Sequence, residues 1–223
     1  MEKLDKIFAA IDKAKRNIEK NLDNVKELFQ STLNHLFTHT VMNWPRKPLG
    51  KVCTNMDSQR IPVTKCRRKK GKYPYYGASG VVDYVDDYIF DGEFLLVSED
   101  GGNLAMRTYP IAFSISGKNW VNNHAHVLKF DNLYFQKIVE YYINWLDISH
   151  VITGTAQPKL NQKALNNIMI PCPITDIQAT QVVSQLDTLK DSVAKAQASY
   201  EQKLKDLEEL KQAVLQQAFN GKL

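Results

Sequence analysis

The densest group of chemically capable side chains lies between residues 65 and 72, where six of eight residues are basic. The six are Lys65, Arg67, Arg68, Lys69, Lys70 and Lys72. Aromatic, glycine and hydroxyl residues follow directly at 73–80 (YPYYGASG). Because lysine and arginine neutralise phosphates and polar loop side chains reach base edges, this composition predicts a surface that contacts nucleic acid. The run itself leaves one alternative open, a solvated basic loop without a ligand.

Catalytic groups are sparse outside this run. His124 and His126 would share one face of a strand, as two metal ligands can, but no cysteine or carboxylate lies at ligand spacing beside them. Glu99 and Asp100 sit in a glycine turn, and a nuclease carboxylate pair there lacks a Glu-x-Lys partner on the next strand. The Pro-Pro-Tyr/Phe loop and the glycine-rich cofactor turn of amino-methyltransferases are missing, and Cys66 has no paired histidine. The sequence therefore favours binding over catalysis.

Composition sets further bounds. The chain has 223 residues, of which 43% are hydrophobic and 24% are charged, as in an ordinary globular protein, and its net charge is +5. Its three cysteines lack a CxxC spacing, which argues against a disulfide scaffold or a zinc site and indicates a reducing compartment. The charged N-terminus does not resemble a signal peptide, and no apolar run reaches the roughly 18 residues of a membrane span. We therefore predict a cytoplasmic protein.

The elements that must position the basic run begin with a repeat. Residues 4–37 and 186–219 align without a gap and are identical at 11 of 34 positions. Apolar residues recur in both at steps of three and four, and neither repeat contains proline or glycine. Each repeat therefore predicts a helix with a narrow apolar seam, which needs a partner helix. The predicted coiled-coil interface is Leu4, Ile7, Ile11, Ile18, Leu22, Val25, Leu28, Leu186, Leu189, Val193, Tyr200, Leu204, Leu207, Leu210 and Val214.

Prolines at 43–46 (NWPR) and 171–173 (PCP) separate the repeats from the middle, giving predicted segments 1–40, 41–173 and 174–223. Short β-branched and aromatic runs predict strands at 81–88, 88–90, 94–98, 111–116 and 126–130, with a hairpin turn at residues 91–92. Segments 133–146 and 159–166 predict helices. The expected fold is α+β, with a globular domain at the tip of two long antiparallel coiled-coil helices.

A long helix, an α+β domain and a second copy of the helix together resemble the specificity subunit of type I restriction–modification enzymes. The strings that carry the resemblance are Trp44 with 48–50 (PLG), 73–80, 90–92 (FDG), 99–103 (EDGGN), 117–118 (GK), 120–126 (WVNNHAH), 154–161 (GTAQPKLN), 170–173 (IPCP) and 216–223 (QQAFNGKL). The family's full-length subunit has the order domain, helix, domain, helix. This chain resembles its C-terminal half or a natural half-subunit.

The resemblance implies a non-catalytic subunit whose residues 41–173 form a target recognition domain that reads bases in the major groove. It also implies that the helices act as a ruler and dock methyltransferase subunits, which a restriction subunit joins. S-adenosylmethionine, ATP and magnesium belong to those partners. A half-subunit could form a homodimer and specify a palindromic, interrupted site, because protein symmetry imposes DNA symmetry. The competing hypotheses are a metal-dependent nuclease using His124, His126 and Glu99, and a scaffold that binds methyltransferase without reading DNA.

Within that resemblance, the six basic residues are expected on phosphates. Candidates near the bases are Tyr75, Tyr76, Ser79, Asn103 and Gln157, and Lys159 is a further candidate for DNA contact. Gln157 and Lys159, with Asn122 and Asn123, have an architectural alternative, because side-chain amides often satisfy the backbone of loops. A string shared among recognition domains cannot easily encode targets that differ, so residues 54–72 are the better place to look for specificity.

Overall fold

The computed structural model describes residues 2–154 and 156–221. Its helices are α1 (Glu2–His35), α2 (Asn103–Met106), α3 (Leu133–Trp145), α4 (Gln162–Asn166) and α5 (Asp176–Phe219). Its strands are β1 (Arg46–Pro48), β2 (Thr54–Asn55), β3 (Lys70–Gly77), β4 (Gly80–Val85), β5 (Phe90–Asp91), β6 (Phe94–Ser98), β7 (Ala112–Ile115), β8 (Lys118–Val121), β9 (Ala125–Lys129) and β10 (Met169–Pro171). This mixture confirms the predicted α+β class. None of the helices in the described ranges is both long and apolar enough to cross a bilayer.

The chain divides into two compact units, residues 1–36 with 184–223, and residues 37–183. The second unit contains the middle segment predicted at 41–173 and extends into the first turns of α5. Helix α5 begins with a reciprocal cap, in which Thr175 Oγ1 accepts from the Gln178 amide at 3.3 Å and Gln178 Oε1 accepts from the Ile174 amide at 3.0 Å. It ends just before Gly221, whose φ of 68° suits a helix C-terminus.

In the first unit the two helices are antiparallel, as predicted. Lys211 Nζ lies 3.5 Å from Asp12 Oδ1 and 5.9 Å from the centre of the Phe8 ring, so the end of α5 is beside the start of α1. Most of the predicted interface is buried or half-buried in this unit.

Two residues of the predicted interface are wrong. Leu28 is 55% exposed and Leu210 is 49% exposed, whereas the next residues, Phe29 and Lys211, are half-buried. In both repeats the seam advances by four residues at this point, from Val25 to Phe29 and from Leu207 to Lys211. The leucine one position before the end of each step therefore lies outside the seam. The same error occurs in both repeats because both have the same phase at this point.

The second unit contains two four-stranded sheets, with strand orders β2-β9-β6-β7 and β4-β3-β8-β5. All neighbours in these sheets are antiparallel except β3 and β8, which are parallel. One apolar cluster takes residues from both sheets, namely Phe90, Phe94, Leu96, Ile115, Val121, Ala125 and Val127. A separate two-stranded ladder joins β1 to β10, pairing Arg46 with Pro171 and Pro48 with Met169.

Helix α3 is joined to β7 by buried polar groups. Asn144 Oδ1 accepts from the amides of Ile111 and Ala112 at 2.8 and 3.1 Å, and its Nδ2 donates to the Ala112 carbonyl at 2.7 Å. Glu140 Oε2 accepts from the Ser114 amide at 3.1 Å. The carbonyls at the end of α3 are capped by Arg107, whose φ of 52° is the one positive value among the described non-glycine residues.

The predicted hairpin at residues 91–92 is wrong. Strand β5 pairs with β8, while β6 pairs with β7 and β9, so the turn at Gly92 leads from one sheet into the other. The turn chemistry itself is present, since Gly92 has a φ of 136°. Strands β3 and β8 lie where no strand was predicted, because their lysines and glycines obscured the pattern. The predicted helix at 159–166 is shorter than expected and begins after Asn161, whose side chain accepts from the Ala164 amide at 2.9 Å.

Candidate DNA-contacting surface

The basic segment, residues 65–72, comprises the turn Lys65–Arg67 and the start of β3. A bulge interrupts the β3–β4 pairing here, because both Lys70 and Tyr73 face Val85. Gly71 makes this geometry possible, since a Cβ at this position would lie only 2.2 Å from the Cα of Asp86. The bulge leaves both flanking lysine side chains exposed to solvent.

Five of the six predicted phosphate-binding residues have free charges. The side chains of Lys65, Arg67, Lys69, Lys70 and Lys72 are exposed, and none forms an ion pair within the described ranges. The amine of Lys72 lies 5.2 Å from the centre of the Tyr73 ring. Asp86 and Asp87, which follow β4, are exposed acids. The five exposed cations outnumber them, so the basic segment keeps a net positive charge.

Arg68 departs from the prediction, because its guanidinium is committed inside the domain. It lies 3.1 Å from Asp83 Oδ2, donates to the Val63 carbonyl at 3.1 Å, and covers the Tyr75 ring at 4.2 Å. The Tyr84 amide and this guanidinium hold the pKa of the Asp83 carboxyl below its usual range. Arg68 therefore fastens the basic segment to β4 and leaves phosphate contact to its neighbours.

The candidates near bases separate into different classes. Tyr75 is only 1% exposed, and its hydroxyl bonds the Val63 backbone, so its predicted role in DNA contact is wrong. Side chains of a strand alternate between its two faces, and the position of Tyr75 in β3 directs its ring inward. The ring of Trp120 stacks against it with 6.4 Å between the ring centres. Tyr76 is half-buried, its ring packs 6.1 Å from Phe113, and burial raises its pKa. Ser79 is exposed at the β3–β4 turn.

The remaining candidates lie around a second group of loops. The Asn103 side-chain amide donates one hydrogen bond to the Tyr109 carbonyl and accepts one from the Tyr109 amide, both at 2.9 Å. Lys159 Nζ lies 3.1 Å from Glu99 Oε1, so its charge is paired. Gln157 is exposed. Asn122 is buried and its side chain accepts from the His124 amide at 2.8 Å, which supports the architectural alternative for this residue.

A buried ion-pair network lies behind these loops. His126 is 1% exposed, its Nδ1 lies 2.6 Å from Asp57 Oδ2, and its Nε2 lies 2.8 Å from the Leu160 carbonyl. The two ring nitrogens of His126 thus face two acceptors, a carboxylate on one side and a backbone carbonyl on the other. Arg60 Nη1 lies 2.7 Å from Glu99 Oε2. The network thus ties β9, β6 and the turn Asp57–Gln59 together.

Both carboxyls of the network are ionised. Burial opposes the charge of Asp57, but the hydrogen bond from His126 and the Val127 amide outweigh it and lower its pKa. Burial likewise opposes the charge of Glu99, and the hydrogen bonds from Arg60 and Lys159 lower its pKa.

The same three groups have the spacing of metal ligands, since ligand atoms of Asp57, Glu99 and His126 all lie within 4.8 Å of one another. Their donor atoms are already bonded to cations and to a carbonyl. A divalent ion would have to separate Arg60 from Glu99 and His126 from Asp57. The geometry therefore fits a structural network rather than the nuclease hypothesis, and His124 lies apart from it, 2.9 Å from Asp100.

Residues 42–208 match the family described as the type I restriction modification DNA specificity domain. The chain belongs to this family. A curated protein of Haemophilus influenzae named as a type I restriction enzyme specificity subunit is 34% identical over 157 residues, which is 70% of this chain and 40% of that protein.

Solved structures of the specificity family share the fold. One, from a study of complex assembly and conformational transition in a type I restriction–modification system, has a TM-score of 0.80 at 18% identity and covers 100% of this chain and 58% of its own. The specificity subunit of Thermoanaerobacter tengcongensis gives 0.65 at 18% identity, covering 100% and 57%. That of M. genitalium gives 0.61 at 14% identity, covering 95% and 58%. The chain thus spans about half the length of these relatives.

Sequence reasoning missed an exposed apolar group on β4 of the specificity domain. Val81, Val82 and Tyr84 are 43%, 57% and 53% exposed. They attracted no attention because β-branched and aromatic residues are expected in any strand. The signal that could have found them is a run in which neighbouring residues are apolar instead of alternating with polar ones.

Proposed function

We propose that this specificity domain reads one part of a bipartite DNA site for a type I restriction–modification complex. It acts without catalytic groups of its own and directs methyltransferase and restriction subunits to the site. The observation that carries the proposal is the basic segment, in which five cations face solvent and form no ion pair within the described ranges, in a chain that belongs to the specificity family. Such charges release counterions when they meet phosphates.

Partner subunits supply the chemistry in this proposal. The exposed surfaces of α1 and α5 dock the methyltransferase subunits, which bring S-adenosylmethionine. The restriction subunit uses ATP and magnesium. The buried network of Asp57, Glu99 and His126 supports a non-catalytic role, because its polar atoms are bonded to one another.

The second recognition domain comes, we infer, from a second copy of this chain. A bipartite site needs two domains, and residues 37–183 form one. A two-fold pair of identical domains would specify a palindromic, interrupted sequence. Light scattering of the complex with methyltransferase should find two copies of this chain, and one copy bound beside a different specificity chain would contradict the homodimer.

The test of function is methylome sequencing of cells that express this chain with its cognate methyltransferase subunit. A palindromic interrupted motif is expected. An asymmetric motif would contradict the homodimer alone. Unmodified DNA despite a stable complex with methyltransferase would leave the scaffold hypothesis in place of recognition.

The phosphate contacts have a charge-matched test. A triple variant, Lys69→Gln with Lys70→Gln and Lys72→Gln, should bind DNA with a shallower salt dependence. The slope of log affinity against log salt should become less negative by about 0.9 for each lysine that contacts phosphate. The control removes three exposed lysines elsewhere on the domain, by Lys51→Gln, Lys129→Gln and Lys163→Gln, and should keep the slope. Equal slopes in both variants would show that the basic segment does not contact DNA.

A further inference from the structure

The apolar group on β4 has a geometry that the basic segment alone does not explain. Strand β4 is at the edge of its sheet and forms a ribbon with β3. Register places Val81 opposite Tyr76 and Tyr84 opposite Pro74, with a bulge at Val82. A Cβ on Gly77 would lie 2.9 Å from the Val82 side chain, so Val82 lies over β3. A two-stranded ribbon carries apolar side chains here into solvent.

The ribbon is held firmly. Its turn is anchored where Ser98 Oγ donates to the Ala78 carbonyl at 2.5 Å, and Gly80 adopts a φ of 132°. The one acid between the apolar residues, Asp83, is paired with Arg68 at 3.1 Å. Asp86 and Asp87, which follow β4, are exposed acids, and the exposed lysines 69, 70 and 72 outnumber them.

Charge selects the occupant of this face. The free lysines at 69, 70 and 72 belong to the same ribbon, since β3 begins at Lys70 and pairs with β4. An exposed apolar edge strand, bordered by cations that form no ion pair within the described residues, suits a partner with apolar groups inside a negatively charged frame. The major groove of DNA has that character and admits a two-stranded ribbon, and its apolar group is the 5-methyl of thymine.

We propose that Val81 and Val82 read thymine methyl groups in the major groove, with Tyr84 flanking them, so that the half-site contains thymine at the positions facing β4. This inference rests on the proposed function and specifies the bases that it reads. The exposed valines contribute a methyl-to-methyl contact and no hydrogen bond. They therefore distinguish thymine from the same base without its methyl group.

The test replaces thymine by uracil in the target duplex, which removes the methyl and keeps every groove donor and acceptor. The probe is a duplex carrying the motif found by methylome sequencing, bound to the complex with methyltransferase at fixed salt. Each contacted thymine should weaken binding about fourfold when replaced, the value for one buried methyl. In Val81→Ser with Val82→Ser, which removes the methyl groups of both side chains, affinity for the thymine duplex falls and the thymine-to-uracil ratio approaches one.

Met106→Thr is the control, because Met106 is 76% exposed on α2, outside both strands, and the substitution should leave the ratio unchanged. Thermal melts of both variants exclude a folding defect. A half-site of G·C pairs only, equal affinity for both duplexes, or an unchanged ratio in the double valine variant would each overturn the proposal. If the complex does not prefer its motif over a scrambled duplex, the proposed function fails and this inference fails with it.

Discussion

Asp57→Asn tests the buried ion-pair network most directly. The substitution keeps the shape of the side chain and removes the negative charge between His126 and Arg60. The two oxygens of Asp57 accept from Nδ1 of His126 at 2.6 Å and from the Val127 amide at 2.8 Å. An amide side chain has a single oxygen, so in either orientation its NH2 group faces one of these donors.

The magnitude follows from burial. The side chains of Asp57 and His126 are 7% and 1% exposed, so solvent does little to screen the charge that is left alone. Removing one partner of a buried pair costs about 3–5 kcal/mol. We expect the free energy of unfolding of residues 37–183 to fall by at least about 3 kcal/mol at pH 7, which for a domain of this size lowers Tm by roughly 10 °C.

Tryptophan fluorescence during urea unfolding is the assay. Trp44, Trp120 and Trp145 all lie within residues 37–183, so the signal reports this unit alone. Asp131→Asn, at an exposed carboxyl, is the matched control and should stay within about 0.5 kcal/mol of wild type. A loss below about 1 kcal/mol for the Asp57 variant would refute the argument that this carboxylate balances buried positive charge.

The pH dependence gives the same reasoning a second check. The folded pKa of Asp57 lies below its ordinary value of 3.8, so its stabilising effect is present above that value and disappears as pH falls through the folded pKa. The difference between wild type and variant should shrink as pH falls below about 4, where the Asp57 carboxyl of the wild type takes up a proton. A difference that grows on acidification would mean that another group controls the effect.

Three further predictions concern the rest of the second unit. Gly71→Ala should cost about 1–3 kcal/mol, because the new Cβ would lie 2.2 Å from the facing backbone, whereas Gly102→Ala has 4.0 Å of room and should change urea unfolding by only a few tenths. Arg107→Ala should cost about 1–3 kcal/mol in the same assay, since it leaves three carbonyls at the end of α3 uncapped, and an unchanged midpoint would contradict that role. Arg68→Ala should destabilise the domain while Lys70→Gln should change only the salt dependence of DNA binding; the reverse pattern would mean that their assigned roles are exchanged.

The helices were predictable because their period is local. An apolar seam repeated at steps of three and four is legible in the letters, and the only misplaced seam residues, Leu28 and Leu210, lie one position from the correct ones. The sheets were harder, because Gly92 reveals a turn but not which strand its neighbours will pair with. Tyr75 shows a similar limit, since composition gives the residue type and only the strand's register decides which way it points.

The buried network was out of reach for a related reason. His126 and Asp57 are 69 residues apart, and each looks ordinary in its own segment. Sequence spacing suggested His124 as the partner of His126, but the fold gives the two histidines different neighbours. Groups that meet only through tertiary structure leave no local spacing to detect.

The ladder between β1 and β10 has an evolutionary consequence. It brings the incoming and outgoing chain of the second unit together through three residue pairs, and the Cys172 amide adds a bond to the Pro45 carbonyl at 2.8 Å. A segment whose two ends are clamped side by side behaves as a cassette: it can be exchanged by recombination at two neighbouring points without stretching the chain on either side. Engineers who graft a foreign cassette at these points need to preserve that clamp.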